Sequence, residues 1–202
     1  LVPSNFFAVS SLRKAAEIFE KVNKDKKMAK ECRAIADEVA AALKKEAVVY
    51  HPEFGNIYAF EVDGYGNHFL MDDANVPSLL SLPWLAYCGK DDPIYKNTRA
   101  FVLSKKNPYY FEDASAKGIG SPHTPVRYVW HISKAIEGLT APTKEEKHQM
   151  IHELMATDGG TGLMHEGVFV DDPTVYTREW FSWANAMFCE LVMQYCGYEI
   201  KK

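Results

Sequence analysis

At 202 residues, 47% hydrophobic and 25% charged, the chain is long enough for one domain with a substantial core and too short for two. A formal net charge of −4 argues against nucleic acid or an anionic membrane surface as the main partner. No apolar run reaches the roughly 20 residues of a membrane span. The four cysteines, Cys32, Cys88, Cys189 and Cys196, show neither CxxC nor zinc spacing and read as reduced, buried thiols. That leans toward the cytoplasm, in a chain whose compartment the sequence leaves open.

The opening Leu1-Val2-Pro3, with no initiator Met and no leader pattern, reads as an internal piece of a longer protein. Ser4 or Asn5 can cap a first helix over about 5–22, with Phe6, Val9, Leu12, Ala16 and Phe19 at helical spacing. A second helix is expected over about 27–46, with Met28, Cys32, Ile35, Val39 and Leu43 on one face. The period then changes. Segments 57–62 and 68–71 flank Asp63-Gly64-Tyr65-Gly66, the pattern of a small β-hairpin. A third helix is expected from Pro77, bent or ended by Pro83, and a fourth from Asp92-Pro93, carrying Ile94, Phe101 and Val102. A fifth runs from Thr124-Pro125 through Val129, Ile132, Ile136 and Leu139. Thr143 with Glu146 makes a capping box for a sixth, with Ile151, Leu154 and Met155 inward. A seventh spans about 177–195 and stops at Gly197.

Connections alternate in length. Those after the second, fourth and sixth helices are long, about 47–76, 105–124 and 157–176, and the others are short. Consecutive antiparallel helices put alternate connections at opposite ends, so the three long ones share a face. Loops beyond about 12–15 residues are uncommon unless functional. The expected fold is all-α: an incomplete (α/α) six-hairpin barrel of about seven helices, with a small β-hairpin in one long loop and a functional face built from the long connections.

Those connections carry Asp72-Asp73 with Asn75, Glu112-Asp113 with His123, and the stretch 157–188, which holds Asp158, His165, Glu166, Asp171, Asp172, Arg178 and Glu179 among Trp180, Phe181 and Trp183. Two carboxyl groups on one face suit glycoside hydrolysis, in which one protonates the leaving oxygen and the other attacks or activates water. Plainer roles compete. Asp72 or Asp73 can serve the N-terminus of the helix expected at Pro77, and Glu179 a first helical turn. Trp180 and Trp183, three apart, would share a helix face as core or as a sugar platform. Glu166 lies in a loop where no capping role explains it. His148 and His152 have the i, i+4 spacing of a zinc chelate, but the helix lacks the HExxH glutamate, and they read as surface histidines. No GxSxG, GxGxxG or P-loop pattern is present.

The segments MDDANVPSLLSLPWLAY (Met71–Tyr87), NTRAFVLSKKNPYYF (Asn97–Phe111), GIGSPHT (Gly118–Thr124), GLMHEG (Gly162–Gly167) and YTREWFSWANAMF (Tyr176–Phe188), with the opening LVPSNFFAV, closely resemble glycoside hydrolase family 125. The resemblance implies a metal-independent, inverting exo-α-1,6-mannosidase without a cofactor, acting on mannose-containing oligosaccharides such as N-glycan fragments. It also implies that residues 1–202 are the C-terminal part of one (α/α)-barrel catalytic domain. The family's general acid, an Asp in a Ser-Asp-Asp segment, would then precede the position matching Leu1. Glu166 becomes the first choice for the general base and Glu179 the second. Asp72, Asp73, Asn75, His123, His165, Arg178, Glu179 and Trp183 become candidate substrate-binding residues, with no metal. Where the family often shows HES, this chain has Gly167, which leaves the carboxylate untouched. The alternatives are an inactive fragment, a half-barrel that binds sugar without the general acid, and a metal hydrolase that EDTA would silence.

Overall fold

The computed structural model describes residues 1–198, and the chain is mostly helical. Helix α1 (Val2–Ile18) begins at Leu1 with Pro3 in its first turn, where the missing N–H interrupts no helical hydrogen bond. Ser4 and Asn5, expected as caps, therefore lie inside it. One wide π-type turn, Phe19–Asn23, ends it at Lys24 in the left-handed conformation. In α2 (Lys26–Glu46) the Asp25 carboxylate accepts the Met28 N–H. Its buried stripe is Ala29, Cys32, Ala36 and Leu43, and Met28 and Ile35 are exposed instead of inward. Small side chains at the seam let α1 approach closely, and this moves the buried face by one residue.

The connection after α2 contains two hairpins where one was expected. Strands β1 (Val48–His51) and β2 (Gly55–Tyr58) pair antiparallel, as do β3 (Glu61–Val62) and β4 (His68–Phe69). The helix expected at Pro77 does not form. Residues 77–88 are successive turns, and the local hydrogen bonds say why. Ser78 N–H donates to Ser81 Oγ, Ser81 N–H to Ser78 Oγ, and Ser81 Oγ to the Ser78 carbonyl, all of which compete with a helical ladder. Pro83 then withholds a donor and biases Leu82 away from helical angles.

Asp92 caps α3 (Pro93–Val102) through the Tyr95 N–H. Strands β5 (Tyr110–Glu112) and β6 (Lys117–Ile119) form a hairpin. Strand β7 (Tyr128–Trp130) runs straight into α4 (His131–Leu139), so the expected helix start at Thr124 is too early and Val129 belongs to a sheet. Thr143 caps α5 (Lys144–Ala156) through the Glu146 N–H, but Met155 is exposed. Strands β8 (Gly167–Phe169) and β9 (Tyr176–Thr177) complete a three-stranded sheet in the order β7-β8-β9. Helix α6 (Ser182–Tyr195) starts later than expected, because residues 176–177 are strand, and Gly197 at φ 91° follows it. The described residues thus hold six α-helices, one fewer than expected. Leu103 closes α3, and the four cysteines are free. Cys189 and Cys196 are exposed, against the expectation of burial.

Helix α4 sits at the centre: every residue but Glu137 is buried, and α5 and α6 pack against it. A Cβ on Gly138 would stand 2.8 Å from Leu191 and 3.0 Å from Met150, so this glycine sets how closely the three helices approach. Lys134 is buried there between Glu137 (3.0 Å) and Glu153 (2.7 Å). Burial pulls its ammonium down, and the two carboxylates outweigh that and hold it above its ordinary value. Removing the cation leaves two largely buried acids facing each other. Lys134→Met is expected to cost about 3–5 kcal/mol in urea denaturation. A loss under 1 kcal/mol would show that the acids find water.

The three long connections meet. Ala74 N–H donates to the Gly120 carbonyl (3.0 Å), and Ser115 and Ala116 donate to Val170 O (2.9 and 3.2 Å). Val170 N–H in turn reaches Arg127 O (3.0 Å).

Candidate active site

Glu166 closes the connection that leaves α5 and stands one residue before β8. Its N–H donates to the Thr177 carbonyl (3.2 Å), which fixes it in register with β9. Its side chain is 14% exposed, and one oxygen lies 3.3 Å from Arg178 Nε. Gly167 follows at a tight crossing: a Cβ there would meet Trp130 Cδ1 and Tyr128 Cβ at 3.2 Å and Thr177 Oγ1 at 3.3 Å.

The two residues before Glu166 are held as firmly. Met164 N–H donates to Asn185 Oδ1 (3.1 Å) and its carbonyl accepts from Asn185 Nδ2 (3.0 Å). Asn185, an indifferent helix former on α6, thus spends its amide on the loop below. His165 is fully buried, its ring flat against Tyr176 at 3.8 Å and 3°. Its Nδ1 faces Glu179 O (2.8 Å) and its Nε2 faces Asp158 O (2.9 Å). Its backbone N–H donates to His131 Nδ1 (2.8 Å), which leaves the proton of that ring on Nε2, 3.1 Å from Thr157 Oγ1. The Thr157 hydroxyl in turn donates to Glu153 O (2.8 Å). Burial and the neighbouring His165 bring the His131 imidazole down to about 3, so it is neutral near pH 7. Three successive residues ending at the carboxylate are therefore anchored to four separate segments.

The remaining acids of this stretch build turns. Asp158 accepts from Gly160 and Gly162 N–H (2.8 and 3.1 Å), with Gly159, Gly160 and Gly162 all at positive φ. A Cβ on Gly159 would lie 2.7 Å from the Tyr176 ring that supports His165. Asp172 accepts the Thr174 N–H (2.9 Å), and Asp171 shares Arg127 with Asp113.

The expected binding residues divide. Asp72 is fully buried, and its two oxygens accept Leu79 and Leu80 N–H at 2.8 and 2.9 Å. Burial drives its carboxyl up to about 7 against those donors. It braces the turns of 77–88 and has no surface for a sugar, a correction to the subsite role. His165 is corrected likewise: buried, with both ring nitrogens on carbonyls, it clamps the loop and has no surface for a sugar hydroxyl. Asp73 and Asn75 are partly exposed, Asp73 Oδ1 accepting the Asn75 N–H (3.1 Å). His123, Arg178, Glu179 and Trp183 are exposed, and of these Arg178 lies against Glu166. Arg178 takes the left-handed conformation (φ 51°) and lays its guanidinium 5.3 Å from the Phe181 ring centre. Phe181 stands edge-on to both Trp130 and Trp183 at 6.4 Å. Trp183 is 39% exposed, and Trp180, 65% exposed, precedes α6, so the two do not share a helix face. A pocket of about 220 Å³ is lined by Ala116, Lys117, His131, Lys134, Glu153 and Thr157 among others, and Glu166 does not line it.

A carboxylate held on a locked loop beside an arginine and an open aromatic edge suits acid–base chemistry on a polar, flat-faced ligand. The metal-independent α-mannosidase model of glycoside hydrolase family 125 matches residues 1–193. The chain belongs to this family. A solved metal-independent α-mannosidase of Streptococcus pneumoniae, in a non-productive complex with α-1,6-mannobiose, superposes with a TM-score of 0.96. It shares 48% identity over 98% of this chain and 47% of its own. The meiotically up-regulated gene 157 protein of Schizosaccharomyces pombe is 46% identical over 159 residues, 78% of this chain and 31% of that protein. The family 125 chain described here thus spans under half the length of these relatives.

Within this family 125 chain, sequence reasoning missed His131 and gave Asn185 no role. Asn185 left a signal, since a polar, poorly helix-forming residue in the first turn of an apolar helix calls for a backbone partner. His131 left none, because its partner is a backbone N–H 34 residues away.

Proposed function

We propose that this chain carries the general base of an inverting exo-α-1,6-mannosidase, and that Glu166 activates the attacking water. The observation that carries the reading is the Glu166 carboxylate, 14% exposed on a loop anchored from both sides, in a family of metal-independent α-mannosidases. Inversion needs a second carboxyl across the bond, roughly 6.5–9.5 Å away, to protonate the leaving oxygen. We assign that acid to a segment outside residues 1–202, with the whole folding as an (α/α) barrel. Arg178 pairs with Glu166 by charge, and Trp183 with Phe181 offers a face on which a pyranose stacks. Asp73, Asn75, His123 and Glu179 are the exposed groups proposed to meet its hydroxyls. The α-1,6-mannobiose in the pneumococcal relative supports the linkage.

Proton NMR of the complete enzyme with α-1,6-mannobiose tests this reading. β-Mannose is expected as the first product, with the rate unchanged by EDTA. α-Mannose appearing first would overturn inversion, and abolition by EDTA would overturn the metal-free mechanism.

A further inference from the structure

His148 and His152 on α5 take no part in the proposed chemistry, yet they are arranged unlike two unrelated surface residues. Both are exposed, and their Nε2 atoms stand 3.1 Å apart with the rings crossed at 73°. With metal–nitrogen bonds of about 2.0–2.1 Å, two nitrogens at right angles on one ion are about 2.9 Å apart, and two at tetrahedral angles about 3.4 Å. The observed span falls between, nearer the right-angled value.

We infer that His148 and His152 form a surface site for a divalent transition ion that prefers right-angled nitrogen ligands, of the Ni(II) or Cu(II) class. Solvent supplies the other ligands, since no group of three or more His, Cys, Asp or Glu side chains gathers to hold an ion among the described residues. The bite is preset. Tyr195 stacks on the His148 ring at 5.3 Å, Lys144 in turn covers the Tyr195 ring, and the direct contact between the imidazoles fixes their spacing. Binding replaces the Nε2–Nε2 hydrogen bond, the donor ring carrying its proton on Nδ1 instead, and ties adjacent turns of α5 together. The site is remote from Glu166: Tyr195 ends α6 and Phe181 begins it, and a 14-residue helix is about 20 Å long. Occupancy is therefore independent of the glycosidase reaction.

Calorimetric titration of NiCl2 into the full chain at pH 8 tests the site. One equivalent is expected to bind, with at least tenfold weaker affinity in His148→Ala and in His152→Ala alike. Electron paramagnetic resonance of the unsubstituted protein with one equivalent of Cu(II) should show coupling to two imidazole nitrogens. The inference is overturned if the wild type does not bind Ni(II), or if either single variant keeps wild-type affinity. It is equally overturned if binding moves with Cys189→Ser instead, or if the Cu(II) spectrum lacks the two nitrogens.

Discussion

Glu166→Gln in the complete enzyme is expected to lower kcat by about 10²–10⁴-fold, the usual worth of a positioned general base. The amide keeps the shape of the side chain and cannot take the proton from water. Arg178 loses its charge partner but remains over Phe181, so the aromatic edge stays in place. KM for α-1,6-mannobiose should accordingly move only a few-fold, and mannose binding should persist by calorimetry. A loss confined to kcat is the mark of a group that acts in the transition state. Glu179→Gln separates the two candidate carboxylates. Glu179 is exposed, and its backbone carbonyl, unaffected by the substitution, is what holds His165. Its replacement should raise KM more than it lowers kcat. A Glu166→Gln enzyme within tenfold of the wild-type kcat, or a Glu179→Gln enzyme that loses the larger factor, would move the base to Glu179.

How far the sequence carried depended on the range of the interactions. Capping worked where donor and acceptor are three residues apart, as for Asp92 with Tyr95 and Thr143 with Glu146. Helical period located five of the six helices closely enough to place the long connections. It failed at 77–88, where Ser78 and Ser81 satisfy the backbone in turns that hydrophobic spacing does not register. It failed again at Val129, whose pairing with Val168 spans a distance that no local pattern encodes. The site followed the same rule. Glu166 stood out because nothing local explained it. The resemblance made binding residues of Asp72 and His165; a structural use for Asp72 near Pro77 was already legible, and the Leu79 and Leu80 N–H groups supply it, whereas the Asp158 and Glu179 carbonyls that occupy His165 become partners only once the chain has turned. Sequence thus exposed groups without a local structural use, and three-dimensional contacts were needed to subtract those with a distant one.

The second large effect concerns acid. His131 is 2% exposed and its pKa is lowered to about 3 from an ordinary 6.5. The unfolded chain protonates this imidazole below pH 6.5 and the fold resists doing so until about pH 3. The stability that rests on a neutral His131 is thus complete above pH 6.5 and drains away as pH falls to 3, by on the order of 4 kcal/mol. Asp72 works in the opposite sense. Its raised carboxyl, near 7, makes the fold bind a proton more readily than the unfolded chain, so acid favours folding there down to about pH 4. The two slopes offset each other in the wild-type profile, and only a difference between proteins isolates the histidine. His131→Asn and His131→Gln serve. Asparagine presents an oxygen near the Nδ1 position, where it can accept the His165 N–H. Glutamine reaches toward Thr157 and leaves that N–H unpaired, a cost of about 1–3 kcal/mol when buried. At pH 7.5 both variants should be less stable than wild type in urea denaturation, the Gln variant more so. As pH falls toward 4 the gap should close, because the wild type alone loses the His131 contribution. A gap constant from pH 7.5 to 4 would show that His131 titrates normally, contrary to its burial. Turnover distinguishes positioning from mere support: at pH 7.5, His131→Asn should retain more kcat than His131→Gln, since only the former keeps the acceptor that anchors the residue before Glu166.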